Sequence, residues 1–227
     1  MLKKLVTICL NIFFPKYCFG CQKPGTYLCE DCRACLEISQ HQYYLNKKTN
    51  KRKNLDDLYF SISYQNTFVK KLIHYFKYEP FIKELSESLT SLIIEHFCLL
   101  EKPPSFLTNK TNFILIPIPL SVKRLKRRGF NQAEEIAKEL TKFLNIPLIS
   151  DCLIKNQETR AQTELNDKER KENVKGVFLV KNKEKIKNKE ILLVDDVYTT
   201  GSTMEEATLV LKKAGAKKVI GIVIARG

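Results

Sequence analysis

The chain has 227 residues, 44% of them hydrophobic and 28% charged, which excludes a disordered or collagen-like polymer and fits one medium domain plus a small appendage. Thirty-nine basic against 25 acidic residues leave a formal charge of +14, directing attention to anionic partners such as nucleic acid, phosphorylated small molecules or an anionic membrane surface. Only eight of the basic residues are arginine, and lysine tracts such as Lys181 to Lys189 suit a solvated face equally well, so charge alone names no partner.

The N-terminal MLKKLVTICLNIFF has a basic start and an apolar stretch, like a signal peptide. No small-residue cleavage site follows, and Asn11 interrupts the run. Its length of about ten residues also falls well short of the roughly twenty of a spanning helix. The expectation is an amphipathic helix docked on the rest of the protein, with no transmembrane segment and a cytoplasmic location.

Five of the eight cysteines fall between residues 18 and 35. Cys18-Phe-Gly-Cys21 and Cys29-Glu-Asp-Cys32 are two CxxC pairs, and two such knuckles supply four thiolates for tetrahedral structural zinc (Zn2+), with Gly20 suited to the tight turn. Cys35 is a spare or alternative fourth ligand. Disulfides are the competing use, disfavoured because nothing marks the chain as secreted. Residues 46–57, polar and charged, read as a linker between an N-terminal unit (1–45) and a main domain (58–227).

In the main domain, Leu58 to Tyr64 alternates as a strand. Two helical stripes follow, Phe68 to Phe76 and Ile82 to Phe97. After a break at Pro103-Pro104 come an apolar strand at Phe113 to Ile118 and a helix carrying Ala133, Ile136, Ala137, Leu140 and Leu144. Strands at Val177 to Val180 and Ile191 to Val194, a helix over about residues 203–214 and a last strand, Val219 to Ile224, complete the pattern. Apolar strands alternating with amphipathic helices predict an α/β fold with a parallel sheet covered on both faces.

The chemistry concentrates after Ile191 to Val194, at the carboxyl edge where open α/β sheets bind ligands. Asp195 and Asp196 are suited to the neighbouring hydroxyls of a ribose and to a cationic transition state. Thr199, Thr200, Gly201, Ser202 and Thr203 open a helix, where backbone N–H groups and hydroxyls make a phosphate cradle. A capping box (Ser202 with Glu205, or Thr203 with Glu206) explains one hydroxyl, not five small or hydroxylated residues in a row. A metal site of two aspartates lacks a third ligand in this segment.

Five of the eight arginines lie between Arg124 and Arg170, a clustering that points to phosphate, although surface arginines bunched by chance are the alternative. Lys123, Arg124, Lys126, Arg127 and Arg128 sit in the loop after the first core strand. That loop is a pyrophosphate site, a solvated turn or a nucleic-acid patch. Asn131 can cap the next helix with Glu134 answering, and Gly129 lets backbone approach a ligand.

LLVDDVYTTGST resembles the 5-phosphoribosyl-1-pyrophosphate (PRPP) motif of phosphoribosyltransferases. Pro117-Ile-Pro119 with Arg124 to Ala133 resembles the RGFNQA signature of the competence-associated ComF branch of that fold. Thr159, Gln162, Leu165, Arg170, Asn173 and Phe178, and the ending AGAKKVIGIVIAR, are similar to further stretches of it. Lys155 departs by standing where members tend to carry arginine. The resemblance implies a type I phosphoribosyltransferase-like domain behind a zinc-ribbon or knuckle module. It also implies magnesium (Mg2+) bridging the pyrophosphate and ribose hydroxyls, held mainly by substrate and water.

Two functions are consistent with this. One is a PRPP-binding protein in uptake or use of external DNA, partnered by single-stranded DNA and the DNA-uptake machinery, with any membrane association made through partners. The other is a transferase passing ribosyl 5-phosphate to a nitrogen nucleophile. No residue is assigned as catalytic base: His41, His74 and His96 lie outside the motifs, the last two in helical stretches where packing is expected. Residues 155–175, polar throughout, suit a mobile lid.

Overall fold

The middles of the central strands are apolar on both sides because both faces of the sheet are covered. The computed structural model describes residues 15–41, 54–156 and 175–227. The expected docking helix at residues 1–14, Cys9, most of the linker, the Thr159 to Asn173 spacing and most of the expected lid lie outside the described residues. The elements in chain order are α1 (Glu30–Ala34), β1 (Asp57–Ser63), α2 (Thr67–Lys77), α3 (Leu85–Leu99), α4 (Ser105–Thr108), β2 (Phe113–Pro117), α5 (Val122–Arg128) and α6 (Gln132–Leu144). Then follow β3 (Leu153–Lys155), β4 (Phe178–Val180), β5 (Glu190–Val194), β6 (Val197–Tyr198), α7 (Ser202–Lys213) and β7 (Lys218–Arg226).

The main sheet is wholly parallel in the order β1-β7-β5-β2, with β6 added beside the end of β7. Its register aligns Leu115, Leu192 and Ile220 in one row and Ile114, Ile191 and Val219 in the next. Successive rows face opposite ways. The first packs under α2, α3 and α6, through residues such as Leu72, Phe76, Leu89, Phe97, Ile136 and Leu140. The second packs under α7, through Met204, Ala207 and Leu211, and under the β3–β4 hairpin through Leu153 and Phe178.

The helix ends follow their sequences. Asn66 caps α2 by accepting from Val69 N at 3.0 Å. Asn131 caps α6 by accepting from Ala133 N at 3.1 Å, while its amide donates to Ile118 O at 3.0 Å and so ties α6 to the end of β2. Glu134 pairs with Lys138 at 2.9 Å.

Three local expectations change. The basic stretch after β2 is a helix, α5, ended by Gly129. Val197 and Tyr198, which lie between the expected strand and loop, form β6 on β7. The segment from Val177 to Val180 is no strand of the parallel sheet: β4 pairs antiparallel with β3, burying Phe178 and leaving Leu179 exposed. A run of four apolar residues cannot by itself distinguish a central strand from half of a hairpin laid over the sheet.

The described end of the linker is bound to the main domain. Leu55 is fully buried, and Asp56 accepts from both Val219 N and Lys212 Nζ at 2.8 Å. At the other end of the chain, Leu28 enters the core, Arg33 donates to Glu95 at 2.7 Å, and Phe19 stacks on Tyr75 of α2 at 4.7 Å. Among the described residues, no helix is long and apolar enough to cross a membrane.

Candidate ligand-binding site and cysteine cluster

Strand β5 delivers Asp195 and Asp196 to the carboxyl edge, and the backbone there is pinned to β7. Asp195 N donates to Ile222 O and Ile224 N to Asp196 O, each at 3.0 Å, while Asp195 Oδ1 accepts from Asp196 N at 2.9 Å. Asp195 lines one concavity with Val197, Tyr198, Thr199, Thr200, Gly201, Ser202, Thr203 and Met204. The loop is held by a 2.8 Å contact between the Thr200 and Ser202 hydroxyls, and α7 begins from Gly201 with no side chain capping it. The N-cap is Gly201, which has no side chain, rather than Ser202 or Thr203 as the alternative capping box requires; Ser202 N donates to Thr200 Oγ1 at 3.4 Å, and the first turn of α7 faces the concavity.

Burial, then the charge of Asp196, pushes the Asp195 carboxyl up to about 7, with Lys77 opposing. Asp196 is buried beside the concavity in an ion pair with Lys77, Nζ to Oδ1 at 2.8 Å. Burial pulls the Lys77 ammonium down, but Asp196 and Asp195 outweigh it and the net shift is upward.

Helical spacing sorts the basic residues of α5. Arg124 and Arg128, four apart, are half-buried, whereas Lys126 and Arg127 are exposed. Arg128 donates to Gln132 Oε1 at 2.8 Å, lies over the Tyr78 ring at 5.7 Å and has a buried Nε without a hydrogen-bond partner. Burial lowers its guanidinium while Asp196 raises it. Lys155, the departure from the motif, is pulled down to about 8, first by burial and then by the charge of Arg124, with Asp195 opposing. Arg128 thus lies within electrostatic reach of Asp196 and Lys155 of Asp195, with Arg124 close to both of these cations.

Lys77, Tyr78 and Gln132 were not singled out in the sequence as site residues. Lys77 ends an apolar stripe just before the Glu79-Pro80 break. Gln132 donates to Phe76 O at 2.9 Å and ties α6 to the end of α2. Of the two histidines expected to pack, His96 is buried with its Nδ1 2.6 Å from Ser39 O, whereas His74 is exposed on α2 beside the Tyr75 and Tyr78 rings, and His41 is exposed as well.

At the other pole of α2, the Sγ atoms of Cys18, Cys21, Cys29 and Cys32 all lie within 4.8 Å of one another. Cys35 is outside this group and exposed. The knuckle geometry is local: Cys29 Sγ accepts from Cys32 N at 3.4 Å and Cys18 Sγ from Cys29 N at 3.5 Å. A Cβ on Gly20 would press on Cys32 Sγ at 2.7 Å, so the first turn closes only with glycine. Burial works against the Cys18 thiolate, but the backbone N–H groups of Cys29, Cys21 and Gly20 bring the thiol down to about 6. Cys32 is pushed up to about 12 by its thiol neighbours and by desolvation. Four thiols this close cannot all ionise without a cation, and a tetrahedral all-sulfur donor set fits zinc. The acid pair, with Asp196 already held by Lys77, fits a magnesium ion carried mainly by its ligand and water.

Residues 125–227 match the family described as phosphoribosyl transferase domain. The chain is 37% identical over 106 residues to competence protein F of Haemophilus influenzae, a match covering 46% of each. It is 34% identical over 116 residues to competence protein ComFC of Bacillus subtilis, covering 51% of this chain and 45% of the relative. It is 32% identical over 105 residues to DNA utilization protein YhgH of Escherichia coli K12, covering 46% and 45%. The matched part spans under half the length of each of these relatives. The matched residues include β5, Asp195, Asp196 and the loop opening α7. Over residues 125–227 this chain carries a phosphoribosyl transferase-type domain, and over about half of its length it is similar to the competence proteins F and ComFC.

Proposed function

We propose that the protein binds PRPP at the carboxyl edge of the sheet and acts, as a ComF-type protein, in uptake or use of external DNA. The observation that carries this reading is that Asp195 and the loop Thr199, Thr200, Gly201, Ser202 and Thr203 line one concavity, with half-buried Arg124 and Arg128 beside the acids. Asp195 and Asp196 accept from the ribose hydroxyls. The loop hydroxyls and first amides of α7 hold the 5-phosphate. Arg124 and Arg128 take the pyrophosphate, with Lys126 and Arg127 at the outer rim. A magnesium ion bound with the ligand would be held mainly by that ligand and water beside Asp195 and would supply charge neutralisation for the pyrophosphate. The cysteine unit, residues 1–45, is a zinc-held module joined through residues 46–57 to the binding domain, residues 58–227. The role with external DNA rests on the names of the relatives and on the charge of +14. The location proposed is the cytoplasm, with single-stranded DNA and the uptake machinery as partners.

Calorimetry with PRPP and Mg2+ tests the pocket. Saturable binding is expected, and it should be lost in the Asp195→Ala, Asp196→Ala double variant; retained affinity in that variant means the site is elsewhere. Release of pyrophosphate across a set of nitrogen acceptors would instead make the protein a transferase, while salt-dependent binding of single-stranded DNA supports the DNA role.

A further inference from the structure

Lys77 and Asp196 form the most enclosed ion pair among the described residues, their side chains 20% and 11% exposed. Such a pair contributes little net stability, because desolvation offsets attraction, yet removing one partner leaves an uncompensated charge. The buried Asp196 carboxylate therefore needs a cation beside it, and Lys77 supplies it.

The neighbouring cations Arg128 and Lys155 each have contacts away from the acids, whereas Lys77 is paired with Asp196 itself. Arg128 is held by Gln132 and lies over Tyr78, and Lys155 lies over the Phe178 ring at 5.8 Å. Lys77 is the last residue of α2, and its flexible stem can swing the ammonium between alternative anions. The oxygen it occupies belongs to one of the two acids that a ribose diol or a divalent cation would approach. A polyanion arriving at Arg124 and Arg128 offers the same ammonium a second partner.

We propose that Lys77 is a resident counterion that closes the acid pair to free divalent cations, and that a pyrophosphate-bearing ligand opens the pair by drawing the Lys77 ammonium onto its own oxygens. The second half rests on the PRPP reading of this pocket, whereas the first half does not. Lys77 is a positioning residue in this scheme, and divalent ions enter with the ligand rather than before it.

The test uses the full chain with its zinc in place and Mn2+ alone as the probe, the free ion being counted by electron paramagnetic resonance. Lys77→Met is expected to bind Mn2+ about tenfold more tightly than the wild type. The gain should vanish when Asp195→Asn and Asp196→Asn are added. Equal or weaker Mn2+ binding by Lys77→Met, or a gain that survives loss of the acids, overturns the proposal. A merely structural role for Lys77 would lower Mn2+ affinity or leave it alone.

If Lys77→Met does not fold, the wild type decides through the 13Cε resonance of Lys77. The resonance is expected to move when PRPP with Mg2+ is added and to stay in place with Mg2+ alone; movement with Mg2+ alone, or none under saturating PRPP, refutes the exchange. Tighter Mn2+ binding by Lys77→Met in a protein whose wild type takes up no PRPP would sink the PRPP reading and leave the closure by Lys77 standing.

Discussion

Replacing Gly201 by alanine probes the phosphate loop at its tightest point. Gly201 has φ 78° and ψ 0°, a left-handed conformation in which an L residue is strained by about 1–2 kcal/mol. The added Cβ would also run into the Tyr198 ring, overlapping its hydroxyl oxygen and Cζ and lying 2.8 Å from Cε2. That ring is buried at 4% exposure, and its backbone is paired with β7, so moving it costs about a further 1–3 kcal/mol. The sum is about 3 kcal/mol, equivalent to a fall in Tm of roughly 6–12 °C for a chain of this size. Denaturant melts of Gly201→Ala, Tyr198→Ala and the double variant separate the two contributions. With the ring gone, adding Gly201→Ala should cost only the backbone strain, so the double variant loses less than the sum of the singles. PRPP binding should fall with the loop displaced. A Gly201→Ala protein melting within about 1 °C of the wild type would show that the loop does not have this geometry.

Asp195→Asn should change the pH dependence of stability. The folded carboxyl sits at about 7 against an ordinary 3.8, so its protonated form stabilises the fold below the ordinary value, and that contribution is lost as pH rises through 7. The variant cannot titrate, so its stability relative to the wild type should rise by about 2–4 kcal/mol between pH 4 and pH 8, measured by urea denaturation; a flat difference contradicts the shift. Elemental analysis should find about one zinc per chain in the wild type and in Cys35→Ser, and none in Cys29→Ser. Loss of metal from Cys35→Ser would redraw the ligand set. Phe106 is fully buried with its ring edge-on to Tyr59, Phe97 and Phe113, so Phe106→Ala should cost about 3–5 kcal/mol in denaturant melts, and a cost under about 1 kcal/mol would be inconsistent with that packing.

What could be read from the sequence was whatever one segment determines alone. The apolar run ending in Asp195-Asp196, the hydroxyl loop, the two CxxC pairs and the stripes of α2, α3 and α6 each carry their signal within a few residues. The Asn131 cap was legible for the same reason. Periodicity failed where the fold brings distant segments together. Arg124 and Arg128 separate from Lys126 and Arg127 only once α5 is a helix, and a basic run without a broad apolar stripe gives little sign of one. The β3–β4 hairpin joins Leu153–Lys155 to Phe178–Val180 across a long insertion, and three-residue strands lack enough alternation to declare a partner. Lys77 was invisible because its meaning lies in Asp196, far along the chain; next to Phe76 it reads as the solvated end of an amphipathic helix.

Helix α2 then connects the two features that the sequence presented as separate. Its N-terminal half meets the cysteine unit: Lys71 Nζ donates to Phe19 O at 3.3 Å, and the Phe68 ring lies 3.4 Å from where a Gly20 Cβ would stand. Tyr75, stacked on Phe19, continues that contact toward the C-terminal half. That half meets the pocket, where Phe76 O accepts from Gln132, Tyr78 lies under Arg128, and Lys77 pairs with Asp196. Each contact is short-ranged and each end is packed, so a shift of α2 that relaxes one end must strain the other. The cysteine unit is thus no independent appendage: Leu28 contributes to the same core that positions α2 under the sheet edge. A metal that orders Cys18 to Cys32 thereby also orders the surface against which the helix bearing Lys77 is set.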